Sequence, residues 1–177
     1  MRIIGGQWRG RRLWGPKGRL GTRPTSDRAR EALFNILGPQ VQEGPFIDLF
    51  AGTGAVGLEA ASRGAPSVVL VEQAKAALAL CRANIEILSA QHVELRSGNA
   101  RRPGPLPLAQ VAFADPPYDL AVETALHALL ACELKTGGCW VLERRASESI
   151  PPLPESVAMT VDRVYGEARL LIMEKRT

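Results

Sequence analysis

The sequence predicts an α/β fold: a mostly parallel seven-stranded sheet with helices on both faces, ended by an antiparallel hairpin. Three observations predict it. Short runs of Val, Leu, Ile, Phe and Ala recur between residues 46 and 143 with helical patterns between them, as strands buried on both faces require. A glycine turn, Gly52-Thr53-Gly54-Ala55-Val56-Gly57, follows the first of these runs. The last two runs, 156–164 and 168–174, are separated only by a turn at Gly166, which leaves no room for a crossover helix.

The elements follow in order. Residues 1–14 read as a strand or hairpin, with Gly5-Gly6 as its candidate turn. Residues 15–25 are rich in Gly and Pro and read as loop. Asp27 is placed to cap a helix that carries Ala29, Leu33, Ile36 and Leu37 on one face and stops at Gly38-Pro39. Strands are expected near 46–50, 68–72, 92–96, 111–115 and 138–143, and helices near 55–63, 74–89 and 119–131. The Pro-rich stretches 103–107 and 151–154 read as loops.

Length and composition bound the function. A chain of 177 residues, 46% of them hydrophobic, suits one domain with a sizeable core and a small appendage. We divide it into a basic arm, 1–25, and a catalytic domain, 26–177. Cys81, Cys132 and Cys139 are odd in number and fit no metal-ligand spacing, so we expect reduced structural thiols and no metal. His92 and His127 stand alone and read as structural or surface residues. With no apolar run long enough to span a bilayer, a cytoplasmic monomer with no membrane partner is expected.

Charge is unevenly spread. The net charge is +4, yet residues 1–30 carry +8 and the rest −4. A basic arm on a mildly acidic body is the footprint of a polyanion-binding protein. Arg9, Arg11, Arg12, Arg23 and Arg28 are the candidate phosphate ligands. Trp8 and Trp14, interleaved with them, either stack on bases or pack in a hairpin core.

Two motifs carry chemistry. The G-x-G-x-x-G turn brings backbone close to a ligand at a helix N-terminus, and Glu72 ends the next strand at a distance suited to ribose hydroxyls. Taken alone, both are shared by nicotinamide, flavin and methyl-donor enzymes. Asp48 discriminates among them. A carboxylate inside the first strand opposes a pyrophosphate but suits a ligand bearing ammonium and sulfonium charges, such as S-adenosylmethionine (SAM). The second motif, Asp115-Pro116-Pro117-Tyr118, ends the run Val111-Ala112-Phe113-Ala114. It makes a rigid polar corner beside an aromatic face, suited to gripping the amino group of a base.

Asp48 to Gly54, Glu72 and Asp115 to Tyr118 together resemble the Rossmann-like SAM-dependent methyltransferases. Arg2-Ile3-Ile4-Gly5-Gly6, Arg11-Arg12-Leu13, Thr22-Arg23-Pro24-Thr25, Asp27-Arg28, Arg30 to Leu37 and Gly57-Leu58-Glu59-Ala60 are similar to the RsmD family, bacterial methyltransferases of guanine N2 in 16S ribosomal RNA. The resemblance implies that Asp48, Phe50, Gly52 and Gly54 face the methionyl part of SAM, and that Glu72 takes the ribose. Asn99 stands where such enzymes commonly place an Asp for the adenine amine. From the chemistry of a poorly nucleophilic amine we expect the Asp115 carboxylate and the Pro116 carbonyl to accept its N–H bonds, Pro117 to stiffen the corner and Tyr118 to stack on an extruded guanine. The implied partner is 16S rRNA within an assembly intermediate or 30S particle. The rival readings are a nicotinamide-dependent oxidoreductase, a non-catalytic RNA-binding assembly factor, and a methyltransferase of adenine N6 or glutamine amide.

Overall fold

A computed structural model of the chain describes residues 1–16 and 24–176, side chains at 24–26 excepted. Arg23 lies outside the described residues. Helix α1 (Pro24–Leu37) and a 3₁₀ turn (Gly38–Gln42) lead into strand β1 (Phe46–Leu49). Then come α2 (Ala55–Ser62), β2 (Val68–Glu72), α3 (Lys75–Leu88), β3 (Val93–Ser97), β4 (Ala109–Ala114), α4 (Val122–Leu130), β5 (Leu134–Arg145), β6 (Val157–Tyr165) and β7 (Ala168–Lys175).

The seven strands form one sheet in the order β3-β2-β1-β4-β5-β7-β6. β1 pairs parallel with both β2 and β4, whereas β7 runs antiparallel between β5 and β6. The central parallel strands are mostly apolar because each buries both faces. In β1, Phe46 points into the core beneath α1, α2 and α3, while Ile47 and Leu49 point into the core beneath α4. Asp48 takes the face of Phe46, and so does Phe113, its ladder partner in β4.

The chain departs from the sequence expectations at four places. The residue 1–14 segment is a hairpin closed by an Arg2–Arg12 bridge, but its turn runs from Gly5 to Gly10 instead of closing at Gly5-Gly6. Gly6 is needed for another reason. At φ +76°, a Cβ there would sit 1.8 Å from the Ser62 carbonyl oxygen, so the glycine lets the hairpin touch the end of α2. Asp27 lies inside the first turn of α1 and binds Arg30 at 2.9 Å, so it does not cap the helix. α4 begins at Val122 because residues up to Leu120 belong to the corner that follows β4. β5 is longer than expected, because its polar end Glu143-Arg144-Arg145 is held in register by β7.

The hairpin is fastened to the body. Ile3 and Leu13 are buried in the core beneath α2. Glu59, fully buried on α2, accepts the amides of Ile4 and Gly5 at 2.7 Å each and pairs with Arg63 at 2.7 Å. Asn84 on α3 accepts the Trp14 amide and donates to the Trp14 and Thr53 carbonyls, linking the hairpin to the glycine turn. Trp8 is partly buried against His92, ring centroids 5.9 Å apart, while Trp14 is 60% exposed.

Candidate active site

The sheet order reverses between β1 and β4. The chain steps outward from β1 to β3, then crosses back to the other side of β1. Ligands of open α/β sheets sit at that reversal, beyond the carboxyl ends of the strands. Both motifs fall there. Phe50 follows β1 with φ +61°, a costly conformation for a bulky residue, and so throws the chain into the turn. The Gly52 amide donates to Glu72 at 2.8 Å, and Glu72 also accepts the amides of Gln73 and Ala74. Gly54, at φ +78°, occupies the N-cap position of α2. The Gly57 amide donates to Asp48 at 2.9 Å. Burial pushes the Asp48 carboxyl up to about 8; the Gly57 bond opposes this, and the carboxylates of Asp115 and Glu72 add to it.

A two-part cleft opens at this point. One part, about 250 Å³, is lined by Met1, Arg30, Asp48, Phe50, Gly52, Thr53, Phe113, Asp115 and Glu143, among others. The other, about 370 Å³, is lined by Phe50, Gly52, Val71, Glu72, Ala74, Ala77, Ala100, Asp115 and Pro117, among others. Phe50, Gly52 and Asp115 belong to both parts, so the two are continuous. A Cβ on Gly52 would meet no atom within 4 Å, so the backbone there fronts open space. A larger hollow of about 680 Å³ between Asn99, Arg102 and α4 shares no lining residue with this cleft and has neither the glycine turn nor the paired acids.

The Asp115 corner is held by the end of β5. Ala114, the last residue of β4, is the ladder partner of Leu142, and the residues that follow these two, Asp115 and Glu143, line the same part of the cleft. Arg144 is almost fully buried and donates to the carbonyls of Pro116 (3.4 Å), Pro117 (3.2 Å) and Leu120 (3.1 Å), with Glu148 at 2.6 Å behind it. The Arg145 guanidinium lies over the Tyr118 ring, 4.1 Å from its centroid, within cation–π range. Thus Arg144 and Arg145 hold the corner, while Glu143 sets a second acid beside it. Burial, and then the Asp115 carboxylate, raise the Glu143 carboxyl above the usual range, while Arg30 opposes the shift.

The structure brings Asp48, Phe50, Gly52, Glu72, Asp115 and Pro117 to the walls of one cleft, with Gly54 opening the helix behind them. Tyr118 is 38% exposed at its edge. Asn99 is not on the cleft wall: its side-chain oxygen accepts the Arg101 amide at 3.0 Å and faces the larger hollow, while Ala100 forms the wall. Arg9, Arg11, Arg12 and Arg28 are exposed. Arg2 and Arg12 line a hollow of about 550 Å³ that shares Met1 with the cleft. Sequence reasoning missed Glu143, Arg144, Arg145 and Arg30. The signal for the first three was a charged tripeptide on the end of an apolar strand.

A sheet ordered in this way, with β7 inserted antiparallel and a glycine turn at the reversal, defines a Rossmann-like methyltransferase fold. The structure of yhhF from Escherichia coli superposes with a TM-score of 0.87 at 31% identity, covering 99% of this chain and 98% of that one. Residues 1–174 match the family described as conserved hypothetical protein 95, and the chain belongs to this family, the RsmD family. Ribosomal RNA small subunit methyltransferase D of Escherichia coli K12 is 33% identical over 99% of this chain and 90% of its own length. YlbH of Bacillus subtilis is 32% identical over 99% of this chain and its own full length.

Proposed function

We propose that this protein transfers a methyl group from SAM to the exocyclic N2 amine of a guanine in 16S rRNA. The names of its relatives support small-subunit rRNA as the substrate class. The observation that carries the reading is the meeting of an acid-lined, glycine-fronted cleft with Asp115 and Pro117 of the corner at the sheet reversal.

The residues present fit the donor. Asp48 supplies negative charge for an ammonium and a sulfonium. Glu72 keeps carboxylate lone pairs beyond its backbone bonds for ribose hydroxyls. Val71, Ala77 and Ala100 offer an apolar wall to adenine, and Asn99 would reach it only by releasing Arg101. When bound, SAM supplies an electrophilic methyl carbon and leaves as a neutral thioether. The protein's part is positioning and electrostatics. The Asp115 carboxylate accepts one N–H of the amine and later the proton that leaves it. The Pro116 carbonyl accepts the other; a carbonyl has two lone pairs, so the long Arg144 bond leaves one available. Pro117 and Arg144 keep both acceptors fixed. Tyr118, its ring backed by Arg145, stacks on the extruded base.

Exposed Arg9, Arg11, Arg12 and Arg28 supply the phosphate contacts, Arg12 from the hollow it shares with Met1. The monomer acts on an assembling particle, where ribosomal proteins help to present the RNA. The test is purified protein with labelled SAM on naked 16S rRNA and on 30S particles, read by nucleoside mass spectrometry. N2-methylguanosine is expected. N6-methyladenosine, or no transfer while SAM binds, would overturn the reading. Asp115→Ala should lower turnover by about 10²-fold or more with SAM affinity retained.

A further inference from the structure

The methyl-transfer half of the cleft holds more chemistry than gripping one amine requires. Asp115 follows β4 directly, next to the Ala114–Leu142 ladder pair that precedes Glu143 on β5, and both acids line one cavity. Glu143 and Arg30 line the same cavity. The Glu143 carboxyl interacts with both Asp115 and Arg30, and all three line one cavity, which gives that wall a row of two acceptors and one donor. Arg30 is fixed in place: it is 5% exposed and donates to the Arg2 carbonyl at 2.7 Å and to Asp27 at 2.9 Å. Its Nε has no hydrogen-bond partner among the described residues and lies 3.8 Å from Glu59.

The Watson–Crick edge of guanine runs donor, donor, acceptor: the N2 amine, N1–H and the O6 oxygen. It is complementary to that row. Adenine presents a lone pair at N1 beside its N6 amine and so has no second N–H to give Glu143. A glutamine amide has no second donor beside its amine. We infer that Glu143 reads the base, accepting the N1–H of the guanine whose N2 amine Asp115 holds, while Arg30 donates to O6. This rests on the guanine reading proposed above and adds the residues that choose guanine over adenine. The incoming N–H donors favour the ionised form of Glu143 and so offset the burial and the Asp115 charge that raise its carboxyl.

The probe is 2-aminopurine, which keeps the N2 amine but lacks both N1–H and O6. The methylated guanine is first located by fragment mass spectrometry after reaction with the wild-type protein. Particles are then assembled with 2-aminopurine at that position, and kcat/KM is compared with guanine. The wild type should prefer guanine by at least about tenfold, the worth of one hydrogen bond to a charged group. Glu143→Gln should compress that preference at least about fivefold while SAM affinity, measured by calorimetry, is retained. Glu143→Asp, which withdraws the carboxylate by one methylene, should do the same and serves if the glutamine variant does not fold. Any difference in intrinsic amine reactivity cancels between wild type and variant. A wild-type preference below about threefold, or a preference unchanged in both variants, would refute the role of Glu143 and leave guanine-N2 methylation standing. If unmodified rRNA yields no N2-methylguanosine, the proposed function falls and this inference with it.

Discussion

Glu59 is the residue whose loss has the most readily worked consequence. It is fully buried on α2, and its two oxygens accept the Ile4 and Gly5 amides at 2.7 Å. It also pairs with Arg63 at 2.7 Å and lies 3.8 Å from the Arg30 Nε. In Glu59→Gln the side-chain oxygen can keep one of the two amides, while the new NH₂ faces the other donor. One charge-assisted hydrogen bond is therefore removed, worth about 1.5–3 kcal/mol. Buried Arg30 also loses the more distant of its two counter-charges but keeps Asp27 at 2.9 Å, so this loss stays well below that of a buried cation stripped of its partner, about 3–5 kcal/mol. We therefore expect a net loss of about 2–4 kcal/mol against a total stability of about 5–15 kcal/mol. Urea titration at pH 7 measures it, and amide exchange at Ile4 and Gly5 locates it. The amide left facing the new NH₂ should become the least protected in the hairpin. A loss below about 1 kcal/mol with those amides still protected would refute the claim that Glu59 anchors the hairpin.

Further expectations follow from other sites. Gly57→Ala places a Cβ 2.2 Å from the Leu70 Cδ2 and 3.0 Å from the Val68 Cγ1; overpacking of this kind should cost about 1–3 kcal/mol in a thermal melt and weaken SAM binding by moving the amide that holds Asp48. The raised Asp48 and Glu143 carboxyls favour the neutral, folded form, so their contribution to stability is fully present below about pH 4 and fades as the pH rises through about 8. A cationic donor prefers Asp48 ionised, so the rise in melting temperature caused by SAM should grow between pH 5.5 and 8.5 by about a few degrees; a constant or shrinking rise contradicts the assignment. Replacing Arg9, Arg12 and Arg28 together by Ala should flatten the salt dependence of rRNA binding by about 0.7–0.9 in log–log slope for each phosphate ligand removed. Deleting the arm is the poorer test, because Ile3 and Leu13 belong to the core.

Much of the fold is legible in the chain for an identifiable reason. Val68-Val69-Leu70-Val71-Glu72 reads as a strand because both faces are buried and an acid ends it, and the structure has β2 over those five residues. Asp48, Glu72 and Asp115 can be picked out because a carboxylate at the end of or inside an apolar run has few innocent explanations. The corner's supports cannot. Glu143 matters because β4 and β5 are parallel with Ala114 opposite Leu142, a register that no local pattern reveals. Arg144 resembles a surface cation until the fold buries it beneath three carbonyls. Gly5-Gly6 reads as a tight turn, yet Gly6 answers a backbone 56 positions away. Local rules find elements and unusual charges; packing between distant segments decides what those charges do.

The division of charge explains why such a cleft suits a polyanionic substrate. Asp48, Glu72, Asp115 and Glu143 gather at the sheet reversal of a chain whose net charge is +4. Phosphates are repelled from these acids and drawn to the arginine-bearing hairpin and α1. Only a base extended away from its backbone can reach Asp115 without bringing phosphate charge with it, and only a cationic donor lowers the energy of the acids once water is displaced. Each ligand thus favours entry of the other: the sulfonium relieves the crowding of Asp48 and Asp115, and the N–H edge of the base relieves that of Glu143. The hairpin couples the two. Glu59 fixes its first strand, Asn84 ties its second to Thr53 of the glycine turn, and Met1 stands between the basic hollow and the acidic cleft. A loosened hairpin should therefore weaken RNA binding and donor binding together, although most of its arginines are remote from the donor.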